Sequence, residues 1–202
     1  MRVFEGVSLG IARGEVVDVV GPSGSGKTTL LRAFARLVPA YSGELHLEGV
    51  SAREISPQQW RCRVALLPQK PAITPGTIRD NLLLPWSMKA RAEMPVPADE
   101  QLSAQLERIG LGMLVLDRPA ARLSVGQQAR LALLRVLLTS PSVLLLDEAD
   151  ASLDAESAAA VTTMTRHFAE EGGAAIRVRH REDDAVASRR FVMRAGTLEE
   201  LT

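Results

Sequence analysis

The chain has 202 residues, 46% of them hydrophobic and 24% charged, which is ordinary globular composition with room for one domain, or one core with an insertion. Twenty-four basic residues against 24 acidic ones leave a formal charge of +0, so nothing in the balance asks for a nucleic-acid partner. No apolar run nears the roughly 18 residues of a spanning helix, the N-terminus has no signal-peptide core, and the single Cys62 excludes an internal disulfide and a Cys-based zinc site, which points to a reducing cytoplasmic compartment.

Residues 2–11 partly alternate and read as an edge strand closed by an Arg13-Gly14 turn. Val16–Val20 is mostly apolar and β-branched and stops at Gly21, the pattern of a strand covered on both faces. Residues 26–37 read as a helix ended by Pro39, and residues 43–50, with Leu45 and Leu47 on one side, as a half-exposed strand. Val64–Leu67 is a further inner strand. From Pro71 to Pro97 loop chemistry dominates (Pro75-Gly76, Asn81, Pro85, Pro95), and helical patterns follow at about 99–109 and 125–139. After Ser140-Pro141 buried strand and helix alternate again, beginning with Val143–Leu146. The expectation is one domain over 1–202, with an α/β core from 1–70 and 140–202 and a mostly helical insertion at about 71–139.

Gly21-Pro22-Ser23-Gly24-Ser25-Gly26-Lys27-Thr28 fits G-x-x-x-x-G-K-[ST] between a buried strand and a helix, the context that gives this motif meaning. Its glycines let backbone N–H groups turn inward around phosphate oxygens, and the following helix aims its positive end at the same anion. Lys27, one of three lysines in the chain, supplies a charge to the β- and γ-phosphates. The Thr28 hydroxyl ligates Mg²⁺, with Thr29 beside it. The second inner strand ends in Asp147-Glu148, and ligands of open α/β sheets sit at the carboxyl ends of strands. Asp147 is placed to hold Mg²⁺, and Glu148 to polarise a water.

Leu123-Ser124-Val125-Gly126-Gln127 precedes a helical pattern rich in Leu and Arg, with Ser124 lying 23 residues before Asp147. With these motifs in order, the chain resembles the ATP-binding subunit of ABC transporters over essentially its whole length. The phosphate loop is Gly21–Thr28, Gln69 matches the Q-loop, Leu123–Gln127 the LSGGQ signature, Val143–Asp147 Walker B with Glu148 as the catalytic glutamate, Ala151–Asp154 the D-loop, and His180 the switch histidine. The resemblance implies a P-loop NTPase (RecA-like) α/β core with a mostly parallel sheet, an antiparallel β edge and a helical insertion. It also implies ATP and Mg²⁺ as ligands, and hydrolysis by Glu148 and His180. Thr28, Gln69 and Asp147 would serve the metal. Two copies would pair head to tail, each ATP lying between the phosphate loop of one and Ser124, Val125, Gly126, Gln127 and Asp154 near the other. A separate transmembrane permease would be the partner, and the inner face of the membrane the location.

Several departures qualify the resemblance. Val125 replaces a glycine, which is costly only if its backbone is left-handed. Ala149 and Ala151-Ser152 replace a common Pro-Thr-Ser-Ala pattern. No aromatic stands where the family stacks adenine: either that segment lies upstream or adenine is held less firmly, and Phe4 reads as a core residue. Arg177 and Arg179 fall in an expected inner strand with no partner legible from the sequence. Thr77–Trp86 resembles the small two-gene bacterial systems assigned to iron export, with Trp86 either packing the insertion or facing the permease. Two rival readings are a non-hydrolysing regulatory cassette and a soluble ABC ATPase of repair or translation, the latter ill suited to a short chain with one phosphate loop.

Overall fold

The computed structural model describes residues 3–38, 42–179 and 185–201. Strand β1 (Val16–Val20) and helix α1 (Lys27–Phe34) come first, followed by a small hairpin, β2 (His46–Leu47) and β3 (Val50–Ser51). Next are α2 (Pro57–Arg63), β4 (Val64–Leu67), α3 (Ile78–Leu83), α4 (Asp99–Arg108) and α5 (Val125–Leu137). The chain then runs through β5 (Val143–Asp147), α6 (Ala155–Glu170), β6 (Ala174–Val178), β7 (Arg189–Arg194) and β8 (Thr197–Leu201). The main sheet has the order β4-β5-β6-β1-β7-β8. Its first five strands are parallel, and β8 pairs antiparallel with β7 as an edge. The expected α/β class, with a mostly parallel sheet and an antiparallel edge, is the class observed.

Because side chains alternate across a strand, the sheet buries two faces. Val16, Leu144, Leu146 and Ala175 pack with Leu82, Leu102, Leu131 and Met164 from α3, α4, α5 and α6. Val17, Val19, Leu145 and Ile176 pack on the other face with Leu30, Leu31 and Trp60 from α1 and α2. The helices between β4 and β5 therefore share one cluster with the sheet.

Two expected strands differ. Residues 3–11 form no strand: Phe4, Val7, Leu9 and Ile11 do pack against the second cluster, but the backbone joins no ladder, and Glu5 N–H donates to Gly196 O at 2.9 Å. Residues 43–50 do not run as one strand either. Glu48 (φ 53°) and Gly49 (φ 81°) are both left-handed, the conformation of a two-residue hairpin turn, so the chain reverses there. The helix expected over 26–37 ends at Phe34, and Pro39 lies outside the described residues.

Arg177 in β6 and Arg179 just beyond it have partners. Arg177 is the register neighbour of Asp18 on β1 and grips its carboxylate with Nε at 2.7 Å and Nη2 at 2.9 Å. Arg179 donates to Asp150. All four are buried. Opposite charges, Asp18 on the adjacent strand β1 and Asp150 in the turn after β5, accommodate them, not solvent.

Candidate active site

The phosphate loop leaves β1 at Gly21 and enters α1 at Lys27. Gly21 (φ 148°) and Gly26 (φ 104°) carry the turn, and each is sterically closed to a side chain. A Cβ at Gly21 would collide with the carbonyl of Met193 on β7, and one at Gly26 would meet Val3 and Met193 side chains at 2.9 and 3.0 Å. The loop is thus pressed against β7, leaving Pro22, Ser23 and Gly24 exposed at its tip, with Ser25, Thr28 and Thr29 half-buried. Lys27 is 5% exposed and its Nζ donates to Gly21 O at 2.8 Å and Pro22 O at 3.0 Å, so the ammonium sits inside the curl of the loop. The Ser25 hydroxyl is buried without a hydrogen-bond partner among the described residues.

The carboxyl end of β5 closes the site. Thr28 Oγ1 donates to Asp147 Oδ1 at 3.0 Å. Burial pushes the Asp147 carboxyl above its ordinary range, against the Thr28 hydroxyl and the nearby Lys27 and Arg32 charges. Glu148 has φ 51°, a conformation non-glycine residues seldom adopt. Its N–H donates to Val178 O at 3.0 Å, and its Oε2 accepts from Gln69 Nε2 at 3.0 Å. Lys27, Thr28, Asp147, Glu148 and Gln69 are therefore brought into one group.

A second group forms elsewhere. Ser124 caps α5: its Oγ accepts from Gln127 N–H at 3.2 Å and its own N–H donates to Gln127 Oε1 at 3.0 Å, a reciprocal cap. Val125 is the first residue of α5 and is 66% exposed. Its backbone is helical, so replacing glycine costs nothing in strain. Gly126 is the constrained position, because a Cβ there would overlap the Ser157 side chain of α6. Asp154 caps α6, accepting from Ser157 N–H at 2.8 Å and Ser157 Oγ at 3.1 Å. The Ser157 amide holds the Asp154 carboxyl below the usual range. Ser124 with Gln127, and Asp154 with Ser157, thus cap the starts of α5 and α6. His180 lies outside the described residues, so its expected role has no geometry here. Asp18, Asp150, Arg177 and Arg179 went unread as a set. Their signal is one acid and one arginine inside strands otherwise made of Val, Ala and Ile, with Arg179 just past the end of β6.

The oxygen donors suit the expected ligands. A loop of inward-turning backbone with a buried ammonium accepts a polyphosphate, and a hydroxyl beside one carboxylate matches Mg²⁺, which takes few protein ligands and completes its shell with phosphate and water.

Residues 4–151 match the family model described as ABC transporter. The chain is 40% identical over 153 residues to "Protein STAR1" of Oryza sativa subsp. japonica, covering 76% of this chain and 43% of that protein. It is 34% identical over 184 residues to "Probable iron export ATP-binding protein FetA" of Escherichia coli (strain K12), covering 91% of this chain and 80% of FetA. It thus spans less than half of STAR1 but most of FetA. In fold it resembles a bacterial Atm1-family ABC exporter solved with ATP bound, with a TM-score of 0.82 at 23% identity over 98% of this chain and 35% of the exporter chain.

Proposed function

The chain belongs to the ABC transporter family as its ATP-binding ATPase component, and from that premise we propose that it hydrolyses ATP in a head-to-tail pair and so drives a separate membrane permease. What supports the pairing is the open start of α5: Ser124 and Gln127 cap it and Val125 beside them is 66% exposed, and a helix N-terminus is a ready anion site. A second copy would bring its Ser124 end over the ATP held by Lys27.

In this reading the loop amides and Lys27 would hold the β- and γ-phosphates, and Thr28, Gln69 and Asp147 would hold Mg²⁺. When bound, Mg²⁺ neutralises charge developing on the phosphate oxygens. Glu148 accepts a proton from the attacking water, and His180 steadies the γ-phosphate. Most of the acceleration comes from positioning and fixed charge, since phosphoryl transfer needs little covalent help. Glu148, hydrogen-bonded to Gln69, is oriented by a residue whose segment leads toward residues 84–96, where Met88 and Val96 are exposed. Among the described residues no helix is long and apolar enough to cross a membrane, and FetA is by name an ATP-binding protein. Both support a partner that carries the membrane spans, with this chain peripheral on the inner face.

The permease would dock beside Trp86. Trp86 is half-buried, with Nε1 donating to Pro95 O at 3.0 Å. Met88 and Val96 nearby are exposed, and buried Arg91 ties this segment to Cys62 O and Thr139 O. An indole held at a surface rim suits an interface anchor. Purified chain should release phosphate from Mg·ATP, Trp86→Ala should do so within a few-fold of it, and the same change should uncouple transport when the permease is present. A core role predicts a large fall in melting temperature from a loss of about 3–5 kcal/mol. That fall would end the docking assignment, and no phosphate release by the unaltered chain would end the ATPase reading.

A further inference from the structure

The end of β6 is tied by charge to the turn that carries Glu148. Arg177 and Arg179 alternate onto the same face of the sheet as Asp18, beneath Val161, Thr162 and Thr165 of α6. Arg179 is 6% exposed, as is Asp150. Arg179 donates to Asp150 Oδ2 from Nε at 3.2 Å and from Nη2 at 2.9 Å, and its Nη1 lies 4.0 Å from Asp18 Oδ2. Asp150 stands two residues after Glu148 and four before Asp154. One ion pair therefore links the strand leading to His180 with the turn running from Glu148 to Asp154. That turn begins in a strained conformation, with Glu148 at φ 51°, and strain of this kind persists only where surroundings over-determine it. The backbone bond from Glu148 N–H to Val178 O fixes one side of the turn, and Arg179 fixes the other. Desolvating such a pair commonly costs as much as its attraction returns, so stability alone does not call for it.

We propose that the Arg179–Asp150 ion pair is a positioning device for hydrolysis, holding the Glu148–Asp154 turn in register with the end of β6. The proposal rests on the reading of Glu148 as the hydrolytic carboxylate. Arg179 touches neither ATP nor water in it, and acts through Glu148. It should therefore govern kcat and leave nucleotide affinity alone.

The test is the double variant Asp150→Leu with Arg179→Met, made in the full chain. It replaces the pair by apolar side chains, a change that is often neutral or stabilising, and leaves the Asp18–Arg177 pair balanced. Its melting temperature and its affinity for a fluorescent ATP analogue should stay close to those of the unaltered chain, while kcat falls by about 10–10²-fold, the scale of a misplaced reacting group. Arg179→Lys, which keeps the charge but loses the fork, should recover part of the rate that Arg179→Met alone loses. A double variant with full kcat would overturn the proposal, and so would parallel loss of melting temperature, affinity and rate, which marks a structural pair only. If the unaltered chain binds ATP without cleaving it, the reading of Glu148 fails instead, and that outcome is distinct from both.

Discussion

Lys27→Ala should abolish most ATP binding and lower phosphate release by about 10²–10³-fold, the usual loss when one fixed electrostatic donor is removed from a reacting phosphate or oxyanion. The buried ammonium sits within the loop, bonded to Gly21 O and Pro22 O, where it is the one lysine charge aimed at the space the loop encloses. The fold should survive, because those carbonyls lie at an exposed loop that water reaches and the core contacts of α1 come from Leu30, Leu31 and Ala33. Titration with a fluorescent ATP analogue and a phosphate-release assay on the same sample check both halves. Near-normal hydrolysis would remove the phosphate loop from the mechanism.

Glu148→Gln should bind ATP normally and lose about 10²–10⁴-fold in turnover, the range supplied by a positioned acid or base. The amide keeps the shape of the side chain and an oxygen to accept the Gln69 bond seen at 3.0 Å, yet it does not take a proton from water. With cleavage stopped, ATP should hold two copies together. Gel filtration with Mg·ATP should show a dimer that disappears without nucleotide, and a monomer under both conditions would count against a shared site.

Much of this was legible because the motifs are local. A strand-loop-helix with glycines at fixed offsets reads directly from Val16–Phe34, and the apolar run of Val143–Leu146 ending in Asp147-Glu148 reads the same way. The mostly parallel sheet followed from strands alternating with helical patterns, and its antiparallel edge came with the family resemblance. What did not read were features set by partners distant in sequence. Residues 3–11 alternate like a strand, but alternation reports only which side chains pack, and no neighbouring edge supplies a ladder. In 43–50 the Glu48-Gly49 turn is brief enough to hide inside a two-residue period. Arg177 and Arg179 looked misplaced in an inner strand because their counter-charges, Asp18 and Asp150, are brought beside them only by the sheet and the turn after β5. The effect of Val125 needed the backbone: it lies on the open side of α5, and the steric demand of the signature falls on Gly126, against Ser157.

The claim that a working site is assembled from two chains is tested most directly by mixing two inactive variants. Lys27→Ala spoils the phosphate loop, and Ser124→Ala spoils the α5 start that would cover the partner's ATP. In a mixed pair, one site would combine both lesions while the other combines the intact loop of one chain with the intact Ser124 end of the other. Phosphate release by the equimolar mixture should then rise well above the sum of the separate samples. A mixture no more active than that sum, with each variant folded and dimerisation intact, would contradict the shared site.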